Sequence, residues 1–443
     1  MGILAVILVL VMYWQTKKNC KLIDDPVPRG GYLWVVPEKR IDPKVYEERW
    51  SWVGWATNVW VYVGVCVGVW MNWGWEASVL YAVYPVNVCG VAWLTGNYYM
   101  TSGLFVVVSY WMATHYGAMG GIGSAVFYQA GLHSTLSALP YGFLVFFINK
   151  EWWVGVGHLV LMGVFLNGKR FKYGVSLRKK RHENIGVEAG KFKISNFFIM
   201  VKVIGYYIKL AIFPYRLGFF HDFGKYDYVK RDLDKPNKLF WLSLALVISF
   251  ALLAFKVNAQ GFLIFFLFIG IYSQFTTLGQ FIAERYTLIA NIGWCVILAT
   301  LLKGHPVLLA IVATLYFCKS LEYIPAYRHN KRLFTYSIAS FPYAPENYVN
   351  YSSYLLEQGD YWGAMRPLQC AIEFGLGNKD KLYNNMANCC IAVRQYDKGA
   401  YWTKMAIDTT TDKFMKDKLT TQYFNLNQKI RKANRLIKQL SEV

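Results

Sequence analysis

The polar side chains that border long apolar runs are the candidates for chemistry in this sequence. Two adjacent carboxylates, Asp24 and Asp25, follow the first apolar run and precede Pro26. Neighbouring carboxylates at a membrane face can act as a general base, with one carboxylate orienting the other or a divalent metal ion. The alternative is a solvated turn whose Asp side chains cap the backbone. The local pattern by itself favours the turn.

A second candidate, the Glu284-Arg285 pair, lies where two apolar runs meet and is followed by Tyr286. Charged side chains at such a depth are costly unless they are paired or face an aqueous cavity. An arginine can grip a phosphate through two parallel hydrogen bonds, and Glu284 could hold Arg285 in place for that purpose. The alternative is a structural ion pair that ties two helices together.

Other polar residues offer weaker candidates. Arg216 and His221 follow an apolar run and could meet a phosphate and a ligand, although such residues more often extend to the lipid headgroups. His133 lies in an almost uncharged stretch, where it predicts either a hydrogen bond to a neighbouring helix or a site. Tyr84 and Asn87 flank Pro85 within an apolar run, which is typical of a kinked helix with local hydrogen bonds.

The elements that must position these residues are apolar helices. Hydrophobic residues form 55% of the 443-residue chain and charged residues only 16%, well below the usual quarter of a soluble protein. We expect about 11 or 12 membrane crossings, each of about 20 residues. The apolar runs lie near residues 2–14, 52–73, 77–94, 98–116, 117–132, 136–148, 152–166, 197–213, 239–255, 262–275, 287–302 and 307–317.

The charge distribution favours a lipid environment over nucleic acid. The net charge is +21, from 47 basic and 26 acidic residues. The Lys and Arg residues concentrate in loops, above all in the basic loop 168–194, and in the C-terminal tail, which suits anionic headgroups and orientation in a membrane. We therefore expect membrane lipid, and no nucleic acid, among the partners.

The sequence divides into an apolar part, 1–320, with a first loop at 15–50, and a polar part, 321–443. In the polar part, Tyr361 and Tyr396 are 35 residues apart, and so are Ala371 and Ala406. That period predicts two tetratricopeptide-type helical hairpins, whose small residues let two helices approach closely. The alternative is an unrelated helical tail. The fold class expected is all-α, a polytopic transmembrane bundle followed by helical repeats.

Taken in order, these segments resemble the transmembrane and tetratricopeptide-repeat-containing O-mannosyltransferase-like family of GT-C membrane glycosyltransferases. Residues 22–26 (LIDDP) resemble its Asp-Asp segment, 84–93 (YPVNVCGVAW) its H-P-x-H-x-E-S-V-A-W stretch, and His133 with 139–140 its K-x-x-x-x-x-L-P pattern. Residues 213–217 (FPYRL) match its F-P-x-x-L, and 283–287 (AERYT), with Gly293, match its A-E-R-Y-x-Y-x-P-x-x-G. The ordered set covers nearly the whole chain and is more specific than any one motif.

The chain also departs from the family pattern. Tyr84, Asn87 and Cys89 stand where the family has two histidines and a glutamate, and His133 stands in place of its lysine. Ala290 replaces the proline after A-E-R-Y. Asn97, near Gly96, stands where the family has a basic residue. These replacements are compatible either with a changed donor or acceptor or with a loss of activity.

The resemblance implies a direct transfer of a sugar, mannose among the candidates, from a polyprenyl-phosphate carrier to a protein or glycan acceptor. Asp24 or Asp25 would be the catalytic base. Arg285, with Arg216, would stabilise the leaving phosphate, Glu284 would orient Arg285, and the donor site would include Tyr286 and His221. His133, Tyr84 and Asn87 would line the pocket. No cofactor is required, although a divalent cation (Mg²⁺ or Mn²⁺) could take part.

The same resemblance implies a multi-pass protein of a bacterial inner membrane or the endoplasmic reticulum, with the repeats on the non-cytoplasmic side to dock the acceptor. Two other functions stay open. One is a catalytically inactive membrane scaffold that recruits partners through its repeats. The other is a transporter or flippase for a lipid-linked substrate, in which His133, Glu284 and Arg285 would line a path.

Overall fold

The computed structural model describes residues 2–18, 43–93, 96–148, 152–168, 194–222, 235–274, 282–374, 379–410 and 413–441. Of these residues 86% are helical and none lies in a β-strand, so the chain is all-α as expected. The α-helices are Gly2–Tyr13, Pro43–Trp73, Trp75–Val83, Val88–Ala92, Asn97–His115, Gly117–Ser134, Tyr141–Ile148, Trp152–Asn167, Ile194–Ile212, Lys238–Val257, Ala259–Gly270, Ala290–Leu301, Pro306–Tyr323, Asn330–Ser340, Pro345–Glu357, Tyr361–Glu373, Lys379–Ala392, Tyr396–Thr409 and Lys413–Ser441.

A proline interrupts one of the predicted apolar spans. The span at 77–94 is broken into the helix Trp75–Val83, the 3-10 turn Pro85–Asn87 and the helix Val88–Ala92. Pro85 has no backbone N–H to donate and disfavours a helical conformation in the residue before it, and Tyr84 is accordingly extended. The result is a short, buried, kinked segment in place of one continuous helix.

Two helical segments are long and apolar enough to cross a membrane, Lys238–Val257 and Pro306–Arg328. Only 22% of the apolar stretch of the first and 28% of that of the second is buried inside the protein. Large apolar side chains such as Leu252 and Phe255 are instead 69% and 60% exposed. Exposed apolar surfaces of this kind mark contacts with a membrane or another protein, whereas a core helix of a soluble protein buries most of its surface.

The buried apolar side chains of the described residues form three hydrophobic clusters. The large cluster extends from Ala5 through the apolar helices to Phe341 and Ala344. Two smaller clusters, one that begins at Leu355 and one formed by Tyr383, Ala406 and Leu419, lie among the C-terminal helices. The helix Asn330–Ser340, which lies in the polar part of the sequence, buries its apolar face in the large cluster.

Four of the C-terminal helices pair as two hairpins, and several positions in them are 35 residues apart. Tyr361 and Tyr396 are each the first residue of the second helix of a hairpin. Ala371 and Ala406, which have the same spacing, are both fully buried. The turns repeat as well, since Gly359 and Arg394 both have a positive φ, +74° and +63°. A helix start, a buried alanine and a turn residue with positive φ therefore coincide at this spacing in the two hairpins.

Candidate functional site

A short 3-10 turn, Glu284–Thr287, carries the Glu-Arg pair between the apolar helices. The Thr287 hydroxyl donates to the Glu284 carbonyl at 2.8 Å. Asn291 Nδ2 donates to Thr287 Oγ1 at 3.1 Å and to Asn87 Oδ1 at 2.8 Å. Because these residues are fully or almost fully buried, the chain of hydrogen bonds anchors the turn to the kinked segment around Pro85.

The Glu284 carboxylate fastens this turn to the loop that follows the helix Ile194–Ile212. Its Oε1 accepts the backbone N–H of Gly218 at 2.7 Å and lies 3.0 Å from His221 Nε2. Its Oε2 is buried and has no hydrogen-bond partner among the residues that the structure describes. The single oxygen Oε1 therefore links two segments that are more than sixty residues apart in the sequence. A charged acceptor forms stronger hydrogen bonds than a neutral one.

The partners of His221 indicate which ring nitrogen donates a hydrogen bond. Nε2 lies 2.9 Å from the Gly218 carbonyl and 3.0 Å from Glu284 Oε1, and because both are acceptors, Nε2 carries the proton. Nδ1 lies 2.9 Å from the Tyr206 hydroxyl, which donates to it in the neutral tautomer. The ring stacks on Phe341 with the centroids 4.2 Å apart. His221 therefore positions Glu284 and packs against the start of the C-terminal region.

The packing around residue 218 leaves little room for a side chain, which favours glycine at this position. A Cβ at this position would lie 2.8 Å from Cδ2 of Phe341, closer than such atoms approach. The residues after Gly218 contact the segment 337–347, to which Phe341 belongs. The Phe219 N–H donates to Ser337 Oγ at 3.0 Å, and the Asn347 side chain donates to the Phe220 carbonyl at 3.1 Å. The loop is thus held between the Glu284 turn on one side and residues 337–347 on the other.

The Arg285 guanidinium lies among aromatic rings. Its central carbon is 5.2 Å from the ring centre of Trp93, 5.1 Å from that of Phe219 and 5.2 Å from that of Tyr286. The side chain also lies close to Tyr99. Arg285 is only 6% exposed. A cation over ring faces gains favourable electrostatic energy, and in a low-dielectric setting its attraction for an anion is stronger than in water.

Several segments singled out in the sequence converge on this turn. Trp93 comes from residues 84–93 and Phe219 from the loop after 213–217. Tyr286 stacks face to face on Tyr272 at 4.3 Å, and Tyr272 in turn hydrogen-bonds Ser137, from the stretch before Pro140. The turn Glu284–Thr287 is therefore a point that three of the described segments reach, two through direct contacts with Arg285 and one through Tyr272.

The replaced motif residues have internal partners. The Tyr84 hydroxyl donates to the Ala211 carbonyl at 3.0 Å. Asn87 Nδ2 donates to the Tyr62 hydroxyl at 3.0 Å and to the Tyr81 carbonyl at 3.1 Å. Both residues are fully buried, as local hydrogen bonds of a kinked helix require. Cys89 is fully buried as well and lies close to the Arg285 backbone and to Tyr327.

Two further candidates lie away from these contacts. Arg216 is exposed near the start of the loop that follows the helix Ile194–Ile212, next to Tyr215, which is 78% exposed. His133 is exposed near the end of the helix Gly117–Ser134, and its ring packs against Phe165 at 5.7 Å. Asp24 and Asp25 lie outside the residues that the structure describes.

Tyr99 and Phe219, which lie beside Arg285, are not evident from the sequence, because isolated aromatics in an apolar chain carry no signal. A buried polar cluster was also missed. His158 Nε2 lies 3.0 Å from Ser124 Oγ, and Ser124 Oγ lies 2.8 Å from Ser109 Oγ. The available signal was His158 itself, the one titratable residue of the helix Trp152–Asn167.

Within the part of the chain that the structure describes, no group of three or more His, Cys, Asp or Glu side chains is arranged to hold a metal ion. Comparisons with protein-family models, with curated proteins and with solved structures find no match for this chain.

Proposed function

We propose that the chain is a polytopic membrane protein whose C-terminal hairpins are tetratricopeptide-type repeats. The two candidate spans with large exposed apolar faces support the membrane setting, and shorter apolar helices such as Trp152–Asn167 extend it. Helices shorter than about 20 residues can lie in a bundle where neighbours cover their ends. The regular repeat of helix starts, buried alanines and turn conformations supports the repeat type.

We further propose that the protein is a GT-C-type glycosyltransferase that moves a sugar from a polyprenyl-phosphate donor to a protein or glycan acceptor. One observation carries this proposal: two of the described segments that resemble the family, residues 84–93 through Trp93 and the loop after 213–217 through Phe219, reach the Glu284–Thr287 turn at a buried arginine. A phosphate leaving group gains negative charge as its bond to the sugar breaks, and a fixed, buried guanidinium is suited to stabilise that charge.

In this proposal each described residue has a physical role. Arg285 binds the donor phosphate, while Trp93 and Phe219 exclude water from the guanidinium and hold it in place. Glu284 acts through the loop: it fixes Gly218 and His221, and thereby Phe219, which packs against Arg285. Asp24 or Asp25 deprotonates the acceptor hydroxyl, which displaces the phosphate from the sugar carbon with inversion.

The repeats would dock the acceptor on the same side of the membrane as the first loop, the non-cytoplasmic side. The contacts of residues 218–222 with 337–347 support a coupling between the donor site and the repeats. Asp222 accepts the Tyr343 N–H at 2.9 Å and Asn347 donates to the Phe220 carbonyl. The loop 218–222 would therefore connect an acceptor bound to the repeats with the Arg285 site.

One observation favours the inactive scaffold as a second candidate. Tyr84 and Asn87 stand where the family has histidines. Both side chains form hydrogen bonds with other residues of this chain. Side chains committed to packing do not contact a substrate, and a chain that has lost activity would still keep its repeats for recruiting partners.

The experiment that separates the two candidates is sugar transfer by the full chain in lipid nanodiscs, with a polyprenyl-phosphate-linked mannose donor and an acceptor peptide. Asp24→Asn and Asp25→Asn remove a base but leave side-chain volume unchanged. If the protein is a transferase, at least one of them abolishes transfer while the yield of folded protein stays the same. Transfer that is unaffected in both variants would remove the acidic pair from the mechanism. No transfer by the unmodified chain with any polyprenyl-phosphate sugar would favour the scaffold.

A further inference from the structure

The last helix, Lys413–Ser441, is much longer than the helix against which it packs. It has 29 residues, whereas the neighbouring helix Tyr396–Thr409 has 14. At a rise of 1.5 Å per residue these lengths are about 43 Å and about 21 Å. Leu419 and Leu426 are buried, but every residue of 431–435 is exposed. The C-terminal part of the helix therefore projects beyond its packing partner.

The projecting helix is strongly basic. Residues 413–441 contain eight Lys and Arg residues and one acidic residue, Asp417, which gives a net charge of +7. Like charges along one helix repel one another and destabilise it. A counter-surface of negative charge would relieve this repulsion.

One exposed face combines this charge with an aromatic residue. At 100° per residue, Phe424, Arg431 and Arg435 fall within about 40° of one another around the helix. Phe424 is 62% exposed, and both arginines are exposed. This face lies opposite Leu419 and Leu426, which contact the rest of the protein. We call Phe424, Arg431 and Arg435 the basic aromatic face.

We propose that the basic aromatic face docks on a membrane surface rich in anionic lipid headgroups. The positive charge complements lipid phosphates, and a phenyl ring among arginines suits the boundary between headgroups and acyl chains. An acidic polypeptide would complement the charge but would leave the ring exposed. The inference uses the membrane setting of the chain and does not depend on the transferase chemistry.

Docking makes the face inaccessible to water-soluble reagents, so it can be measured in the full chain. Gln428 is exposed and lies beside the basic aromatic face. In the Gln428→Cys variant, alkylation of the introduced thiol by a charged maleimide is followed by mass spectrometry of its peptide, in nanodiscs of phosphatidylcholine alone or mixed with phosphatidylglycerol. A matched control is Tyr401→Cys, at a position that is 58% exposed on the neighbouring helix.

We expect alkylation of the Gln428→Cys variant, but not of the Tyr401→Cys control, to slow in phosphatidylglycerol and to recover at high salt. Adding Arg431→Gln and Arg435→Gln should weaken docking roughly 25-fold, since each basic side chain near an anionic surface contributes about fivefold. Circular dichroism checks that the helix content is unchanged. Equal rates of alkylation of the Gln428→Cys thiol in the two lipids would overturn the proposal. Protection by a soluble acidic polypeptide, with none from phosphatidylglycerol, would overturn it in favour of a protein partner.

Discussion

The role of the Glu284 carboxylate can be tested by comparing two substitutions. Glu284→Gln keeps an oxygen at the position of Oε1, so the Gly218 N–H and His221 Nε2 retain an acceptor. Its new amide group replaces Oε2, which has no partner among the described residues. Glu284→Ala removes the acceptor and leaves a buried N–H unsatisfied.

The expected magnitudes differ. Hydrogen bonds to a charged acceptor contribute about 1.5–3 kcal/mol each, and a neutral acceptor about 1 kcal/mol. Glu284→Gln should therefore cost roughly 1–2 kcal/mol, whereas Glu284→Ala should cost about 3–5 kcal/mol, as is usual when one partner of a buried charged contact is removed. A difference of about 2–3 kcal/mol between the variants corresponds to several degrees in the unfolding temperature.

The buried thiols of Cys66, Cys89 and Cys295 provide the assay. A thiol-reactive dye that fluoresces on reaction reports their exposure as the protein unfolds on heating in detergent. The unfolding temperature should be highest for the wild type, lower for Glu284→Gln and lowest for Glu284→Ala. Equal temperatures for the two variants would show that Oε1 does not hold the loop. Equal temperatures for all three proteins would show that the contact contributes nothing to stability.

Three other predictions concern the turns, a thiol and a histidine. Gly359→Ala should destabilise the protein and Arg394→Gly should stabilise it, each by about 1 kcal/mol, because both positions have a positive φ that only Gly adopts freely; dye-monitored unfolding gives the sign. Burial, with a smaller effect from Cys390, raises the pKa of the Cys389 thiol to about 11, so its alkylation in the folded protein should increase as the pH rises through this value. Below about pH 9 the thiol is protonated in both the folded and the unfolded protein. Above it the unfolded thiol ionises first, so the free energy of unfolding falls as the pH rises. An alkylation profile that levels off near the ordinary pKa of a thiol would contradict the raised pKa. His133→Ala should leave sugar transfer unchanged, because His133 is exposed and packs on Phe165; loss of transfer at normal protein yield would return His133 to the site.

Helices that coincide with long apolar runs could be predicted from the sequence to within a few residues. The run 239–255 corresponds to Lys238–Val257, and 197–213 corresponds to Ile194–Ile212. Hydrophobicity is a local property, so it identifies such helices without any tertiary information. The helix Pro43–Trp73 began earlier than expected, because its first turns contain polar residues such as Glu47 and Glu48.

The contacts of the site could not be predicted in the same way. The sequence identified Glu284 and Arg285 as a pair and suggested that the carboxylate holds the guanidinium. In the structure Glu284 Oε1 binds Gly218 and His221, which are 66 and 63 residues away along the chain. No periodicity or propensity encodes such pairings. The 35-residue spacing in the C-terminal part, by contrast, is visible in the sequence alone, because it needs no knowledge of distant contacts.

The most direct test of the central claim is sugar transfer by Arg285→Lys compared with Arg216→Lys. Both changes keep a positive charge but replace a planar guanidinium by an ammonium group. Arg285 is buried among Trp93, Phe219 and Tyr286, whereas Arg216 is exposed. With a polyprenyl-phosphate-linked mannose donor in nanodiscs, Arg285→Lys should lower the transfer rate roughly 100-fold or more, the usual loss when one transition-state donor is removed, and Arg216→Lys should change it far less. Equal rates for Arg285→Lys and the wild type would contradict a role for this arginine in binding the donor phosphate.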